Sequence, residues 1–488
     1  MMLPFASGTF PTKYRSLGIV ATLFILLLTF WQWSGSSRGP SVGGAEKAQH
    51  VQPTDLCLGS ARKVADYMGA YPLDKADFGE MGKRLQILKE WIAHREAASL
   101  TQEEEDAWST IIESAAMSLV PFIQSPFPDH RPLERLRDGF VPGSRGIVIT
   151  TGKKCFRYAC HLVAGLREVL GSRLPIQVVY AGERDLPTEY RDFITSRAAN
   201  VTTLDITSVF DDTTLDLANA GWAVKAFAIL GSTFEQVILL DADAVFVQPP
   251  EVIFDVHPQY AETGTLLFHD RLLWQGAFKE RHSWWEKELA HTELSSTIRQ
   301  SKVFVEKYAE EGDSGVVAVD KSRLDVFIGL LHIGWQNTKD VRDAFTYVQG
   351  HGDKESWWFG FELAATPYSM EQHYAAIMGH IQIGPDGRPE DRVCSFAIAH
   401  VDHNDRLLWY NGSLLKNKEI DAVDFDVPTE WMIDGIWEKG ATKQDMSCMN
   451  GTEVKLIDAD TVTLIQSTVN VAKRVDHRLR PQFPDVVP

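Results

Sequence analysis

The stretch from Gln236 to Pro250 reads QVILLDADAVFVQPP, and its reading decides the fold. Val237 to Leu240 form a short apolar run of the kind that fills a strand buried on both faces, and Pro249 with Pro250 ends the extended segment. Asp241 and Asp243 flank Ala242 at the mouth of that strand. Alternate residues of a strand point the same way, so both carboxylates are expected on one side. Two bare carboxylates about 4 Å apart repel by roughly 4 kcal/mol at an effective dielectric near 20, and a cation between them relieves that cost. Hard oxygen ligands select Mg²⁺ or Mn²⁺, ions that keep positions open for a diphosphate. An isolated Asp-x-Asp is more often a turn cap. The metal-diphosphate reading therefore needs support from elsewhere in the chain.

Upstream, residues 146–150 (GIVIT) read as a strand, 151–154 as a turn and 156–170 as an amphipathic helix. Strands follow at 175–180 and 201–206, and a helix over 222–230 delivers the chain to the Val237 strand. This order signals an α/β fold with a mostly parallel sheet, in which ligands bind beyond the carboxyl ends of the strands. The aspartate pair stands at one such end and Thr150, Thr151 and Gly152 at another. Further strands are expected at 265–268, leading into His269 and Asp270, and at 315–319, before Asp320. A core helix over 324–331 and a late strand over 395–399 that delivers His400 complete the pattern.

Residues 17–33 carry no charge and would make a helix about 25 Å long, enough for a thin bilayer. Lys13 and Arg15 precede that segment, which orients the short tail 1–16 to the cytosol and everything downstream to the lumen. An uncleaved signal anchor of a type II membrane protein is the expectation. The Gly/Ser-rich residues 34–54 read as a stem, 55–140 as a helical region, 141–440 as the catalytic domain and 441–488 as a C-terminal extension. In the helical region Leu85, Leu88, Trp91 and Ile92 recur at helical spacing, and Thr101 with Glu104 forms a capping box. Residues 476–488 are polar and contain proline, so they are expected to be poorly ordered.

The net charge of −18 speaks against nucleic acid or a polyanionic partner. Asn200, Asn411 and Asn450 open N-glycosylation tripeptides, in keeping with a lumenal chain. Of five cysteines, Cys155 and Cys160 point about 140° apart on a helix and should not pair. Cys394 with Cys448 is a candidate disulfide that sequence alone does not decide.

The blocks GIVITTGKKCFRYACHLVAGLREVL, PIQVVYAGERDLP, WAVKAFAILGSTFEQVILLDADAVFVQPPEVIF, DSGVVAVDKSR and GDKESWWFGFELA, in that order, resemble the fungal Golgi α-1,3-mannosyltransferases, glycosyltransferase family 71. The resemblance implies a GT-A (Rossmann-like) domain, a type II Golgi membrane protein, and retaining transfer of mannose from GDP-mannose to a mannose-terminated glycan in protein glycosylation. By the same resemblance Asp241, Asp243 and His400 bind Mn²⁺, with Mg²⁺ the alternative and His403 competing with His400. Thr150, Thr151, Gly152, Lys225, Ser314, Gly315 and Arg406 join Asp241 in holding the donor. Asp353 is the carboxylate nearest the anomeric carbon, with Glu355 able to take that part, while a plain N-cap explains Asp353 equally well. The cluster Trp357, Trp358, Phe359 and Phe361 reads as core, unless an exposed tryptophan stacks on an acceptor sugar. Rival readings are a UDP-sugar donor, a non-catalytic glycan-binding protein on the same scaffold, and a metal-dependent phosphoesterase. The last usually clusters more His and Asp ligands than this chain does.

Overall fold

The computed structural model describes residues 57–487. The expected cytosolic tail, membrane anchor and stem lie outside the described residues. Among the described residues no helix is long and apolar enough to cross a membrane.

Three helices come first: α1 (Leu58–Ala70), α2 (Phe78–Ala97) and α3 (Gln102–Leu119). The capping box of α3 forms as expected, Thr101 accepting from the Glu104 amide while the Glu104 side chain accepts from that of Thr101. Leu85, Leu88, Trp91 and Ile92 all face inward on α2. At the start of α2, Phe78 packs edge-on against Trp284 and Trp335, each 4.9 Å away between ring centres, so one apolar cluster continues from these helices under the sheet.

That sheet has six strands: β1 (Val141–Thr150), β2 (Ile176–Tyr180), β3 (Val201–Asp205), β4 (Phe234–Asp241), β6 (Thr265–His269) and β7 (Gly312–Asp320), in the order β3-β2-β1-β4-β7-β6. The pairs β1–β2, β1–β4 and β2–β3 are parallel, and β7 alone runs against its neighbours β4 and β6. Val237, Ile238, Leu239 and Leu240 are wholly buried, as a strand covered on both faces requires. Helix α4 (Phe156–Ala164) follows β1, and α5 (Val224–Gly231) leads into β4, preceded by a 3₁₀ turn over Gly221–Ala223. The core helix expected at 324–331 is longer, α6 (Leu324–Gln336), and α7 (Lys354–Leu363) packs beside it.

A short strand β5 (Ala244–Phe246) begins three residues after β4 ends, and it belongs to a different, antiparallel sheet. There it pairs with β11 (Leu407–Asn411), which pairs with β10 (Ile398–Val401), which pairs with β8 (Ala376–Ile383). The QVILLDADAVFVQPP stretch is thus the hinge between two sheets, and it brings residues near 400–411 back to the end of β4. The late strand is shifted from its expected place: 389–395 forms β9 (Pro389–Ser395), and His400 lies inside β10 rather than beyond a strand end. Cys394 and Cys448 face each other across β9 and a neighbouring strand and form a disulfide. Cys155 and Cys160 stay unbridged.

The C-terminal residues are ordered, contrary to expectation. Helix α8 (Ala459–Leu479) packs along α4, and its Asp476 is buried against the Arg157 guanidinium and His161, whose Nε2 is 2.7 Å from Asp476 Oδ1. Composition misleads here because the few apolar residues of the tail are all used: Phe483 stacks among Phe156, Tyr190 and Phe193, and Val487 is buried. Phe483→Ala should lower the free energy of unfolding by about 3 kcal/mol in denaturant titrations. A change below about 0.5 kcal/mol, the range of an ordinary surface substitution, would mean the tail is not docked.

Candidate active site

Four strand or helix ends meet below the hinge. The last residue of β4, Asp241, accepts an ion-paired hydrogen bond from Lys225 Nζ at 2.8 Å. Lys225 comes from the first turn of α5, and its ammonium is also 3.4 Å from Asp353 Oδ1 and donates to the Ser314 hydroxyl (3.0 Å) and carbonyl (3.1 Å) on β7. Lys225, Asp353 and Ser314 are each at most 3% exposed. Burial on its own pushes the Lys225 ammonium down, but Asp241 and Asp353 outweigh it and its pKa is raised. A charged lysine therefore bridges two carboxylates that approach from different parts of the chain.

Asp353 directly precedes α7 but does not cap it: its side chain makes no bond to the first-turn amides. Its second oxygen accepts instead from the Trp357 indole at 2.8 Å, which fixes the carboxylate facing Lys225. The N-cap explanation thus falls away as the reason for this residue. Glu355 is placed elsewhere. It accepts from the Glu311 amide (3.0 Å) and the Trp358 indole (2.7 Å), inside the protein, and burial pushes its carboxyl up to about 7. Trp357, Trp358, Phe359 and Phe361 are all core.

A third carboxylate, Asp313 on β7, was not singled out from sequence although it immediately precedes Ser314 and Gly315. It accepts from the Gly315 amide (2.9 Å) and the Asn411 amide group (3.3 Å), and its Oδ2 is 3.2 Å from His400 Nε2. Burial works against its ionisation, yet the bond from His400, the nearby Lys354 and the Gly315 amide hold its carboxyl well below the usual range. His400 is clamped in turn, stacked on Trp409 at 4.2 Å. Gly315 is needed because any Cβ there would lie 2.9 Å from the Asn411 amide nitrogen and from Trp409. Asn411, expected to carry a glycan, points into this cluster instead. Asn200 is exposed in a left-handed turn, and Asn450 donates to Glu438 at 2.7 Å.

Asp243 does not share a partner with Asp241. The chain turns at residues 242–243, so strand alternation stops there, and Asp243 pairs with Lys418. Lys418 had no sequence signal, lying beyond every block that carries the family resemblance. Arg406, expected on the diphosphate, is instead bound to Asp402 at 2.7 Å with most of its side chain in solvent. The same Asp402 carboxylate accepts from Gln248, so this pair braces the segment just past the hinge. At the end of β1, Thr151 is buried and Thr150 half-buried; Gly152 leaves space that the Asp185 carboxylate occupies.

His400 faces Asp313 rather than Asp241 or Asp243, and among the described residues no three His, Cys, Asp or Glu side chains group to hold a metal. The two aspartates of the hinge remain a chemically suitable pair, since Mg²⁺ and Mn²⁺ sites are commonly one or two carboxylates completed by substrate phosphates.

Residues 144–402 match the family model Mannosyl_trans3, a mannosyltransferase family. The chain is 25% identical over 346 residues to the α-1,3-mannosyltransferase MNN1 of Saccharomyces cerevisiae, covering 60% of this chain and 43% of that protein. It is 29% identical over 317 residues to the α-1,3-mannosyltransferase MNT3 of the same yeast, covering 59% of this chain and 49% of that protein. The matched part thus spans under half the length of these relatives. Among solved structures, the galactosyltransferase LgtC in complex with donor and acceptor sugar analogues is similar at 12% identity and a TM-score of 0.31, over 46% of this chain and 73% of that chain.

Glu355 carries a pH test of the packing behind the site. In the unfolded chain its carboxyl ionises near 4.5 and in the folded protein near 7, so it is fully compatible with folding in acid and opposes folding increasingly as pH rises between those values. Glu355→Gln should remove roughly 2 kcal/mol of that decline, measured from denaturant midpoints at about pH 5 and about pH 7.5. An unchanged pH slope would show that the carboxyl stays ionised in the folded protein.

Proposed function

From a chain that belongs to the mannosyltransferase family matched over residues 144–402, we propose a retaining glycosyltransferase that moves mannose from GDP-mannose to a mannose-terminated glycan, forming an α-1,3 linkage. The observation that carries this reading is Lys225, a buried cation held between the carboxylate at the end of β4 and Asp353. It spans the two places such a reaction needs, a diphosphate site and an anomeric centre. The family's relatives named α-1,3-mannosyltransferases support the linkage, and the GT-A assignment rests on the sheet and hinge described above.

In this reading the donor diphosphate lies over Asp241, Asp243 and Lys418, at the carboxyl end of β4. The bond between the mannose C1 and the diphosphate oxygen breaks, and the leaving oxygen keeps the electron pair. A divalent cation, Mn²⁺ in this proposal, would be held by Asp241 and Asp243 and would neutralise charge on the departing diphosphate. Lys418 and Lys225 add fixed positive charge on the same group, and because they are already oriented inside the protein they cost little reorganisation as the bond breaks. Asp353 faces the sugar from the far side of Lys225. Its carboxylate, immobilised by the Trp357 indole, stabilises positive charge at C1 or bonds to it transiently; the acceptor oxygen then bonds to C1 on the face the diphosphate left, its proton passing to the departing diphosphate oxygen, so configuration is retained. Asp313 and His400 set the floor of the sugar pocket by fixing Ser314 and Gly315. We place the protein as a type II Golgi membrane protein, anchored by the uncharged residues 17–33 with the catalytic part lumenal.

The reading is tested by incubating the purified chain with Mn²⁺ and a panel of GDP- and UDP-sugars and measuring nucleoside diphosphate release with and without a mannose-terminated acceptor. GDP release from GDP-mannose, dependent on acceptor and lost with a chelator, is expected. Asp353→Asn should lower it at least about 100-fold. No release from any donor would overturn the enzymatic reading, and release from a UDP-sugar alone would overturn the donor.

A further inference from the structure

Lys418, which meets Asp243 at the hinge, stands on an element that cannot hold it in place unaided. It sits in the turn of a hairpin, β12 (Leu415–Asn417) and β13 (Asp421–Phe425), whose strands pair with each other and, among the described residues, with no other strand. An isolated two-stranded hairpin is at best marginally stable in water, so the position of Lys418 depends on what grips the hairpin from outside. Asn417 donates to the Lys443 carbonyl at 2.9 Å, and Lys443 pairs with Glu419 at 2.9 Å, an exposed contact of the kind that contributes little. The firmer grip is Arg157, in the first turn of α4. Its Nη1 donates to the Ala422 carbonyl of β13 at 2.7 Å, while Nε (2.9 Å) and Nη2 (2.5 Å) both donate to the Asp476 carboxylate of α8. The Phe425 ring lies 5.9 Å from the same guanidinium and 6.0 Å from the His161 ring.

The chemistry at the hinge makes no direct use of Arg157, His161 or Asp476, all three buried. A buried ion pair is a costly way to fasten one helix to another, since apolar residues of the same volume do as well or better. What apolar residues cannot do is aim a hydrogen bond at a main-chain carbonyl. The two-point fork on Asp476 fixes the plane of the guanidinium and with it the direction of the Nη1 donor, which lands four residues past Lys418. A continuous chain of contacts therefore runs from α8 through Asp476 and Arg157 to Ala422, and from the hairpin through Lys418 to Asp243. Lys418 and Asp476 both lie beyond residues 144–402, the part that the mannosyltransferase family model matches, while Arg157 lies inside it. We propose that Arg157 and Asp476 are positioning residues that together clamp the hairpin, so that the Lys418 ammonium stays on the hinge. That the ammonium there serves a nucleoside diphosphate rests on the transferase reading. The C-terminal helix thereby becomes a working part of the donor site.

The test compares the wild type with Arg157→Lys, Lys418→Met and the double variant, all as the full chain. Lysine at position 157 keeps a cation on Asp476 and loses the fork that reaches Ala422, so α4 and α8 stay paired while the hairpin is released. Amide hydrogen exchange is read without nucleotide, and GDP affinity is read in the presence of Mn²⁺. In Arg157→Lys the amides of residues 415–425 should exchange about tenfold faster, the loss of one hydrogen bond from a charged donor, with the amides of β1 and β4 unchanged. Arg157→Lys and Lys418→Met should each weaken GDP binding about fivefold to tenfold, and the double variant should bind GDP no more weakly than Lys418→Met alone. A residue that merely stabilised the fold would give losses that multiply. Unchanged hairpin exchange, an equal rise in β1 and β4, GDP affinity kept in either single variant, or losses that multiply would each overturn the proposal. A hairpin that loosens as expected in a protein whose wild type binds no GDP would leave the clamp standing and refute the transferase reading instead.

Discussion

The shared ion pair of Lys225 with Asp241 and Asp353 is the constraint on which the rest of the site depends. Each partner arrives on a different element: a helix start, a strand end, and the residue ahead of a second helix. Removing Lys225 leaves two carboxylates as uncompensated buried charge, a cost of several kcal/mol, so the three elements are locked in register by electrostatics as well as by packing. Such an arrangement is an expensive way to stabilise a fold. A hydrophobic trio of the same volume would do as well or better, and that makes a charge-handling role for the cluster the more economical explanation.

Around that centre the protein adds further counter-charges. Lys354 neutralises Asp270, with Arg271 3.1 Å from the same carboxylate, and Asp313 is held ionised by three donors. The chain as a whole carries −18, and yet the hinge aspartates are each met by a lysine. At that strand end three carboxylates face two lysines, a net charge of −1, so an anion held there needs a further cation. The antiparallel sheet exists, in this sense, to bring the second wall of the site back over the first: β5 leaves the hinge, and β11 and β10 return with Asn411 and His400.

Much of this was legible in the sequence. The apolar run at Val237, the strand and helix order before it, the capping box at Thr101 and the convergence of Asp241, Lys225, Ser314 and Asp353 all follow from pattern or from the ordered blocks. What was not legible has physical causes. Alternation along a strand holds only while the chain stays a strand, and the turn at residues 242–243 sends Asp243 to Lys418. Asn411 satisfies a glycosylation tripeptide by composition, but only the pairing of β11 with β5 and β10 turns it inward to Asp313. Arg406 is a basic residue at a plausible spacing, and Asp402, four residues before it, captures it first. The polar tail looked unable to fold because its apolar residues are sparse, whereas each of them finds an aromatic or aliphatic partner on α4 and its neighbours.

The measurement that bears most directly on the central claim is a crystal structure of the protein with Mn²⁺ and an unreactive analogue of GDP-mannose. The account predicts the diphosphate over Asp241, Asp243 and Lys418, Lys225 Nζ within hydrogen-bonding distance of the donor, and the anomeric carbon facing Asp353 at roughly 3 to 3.5 Å, the spacing of reacting atoms. A donor bound with its sugar turned away from Asp353, or Lys225 still closed on its two carboxylates with the nucleotide elsewhere, would contradict it.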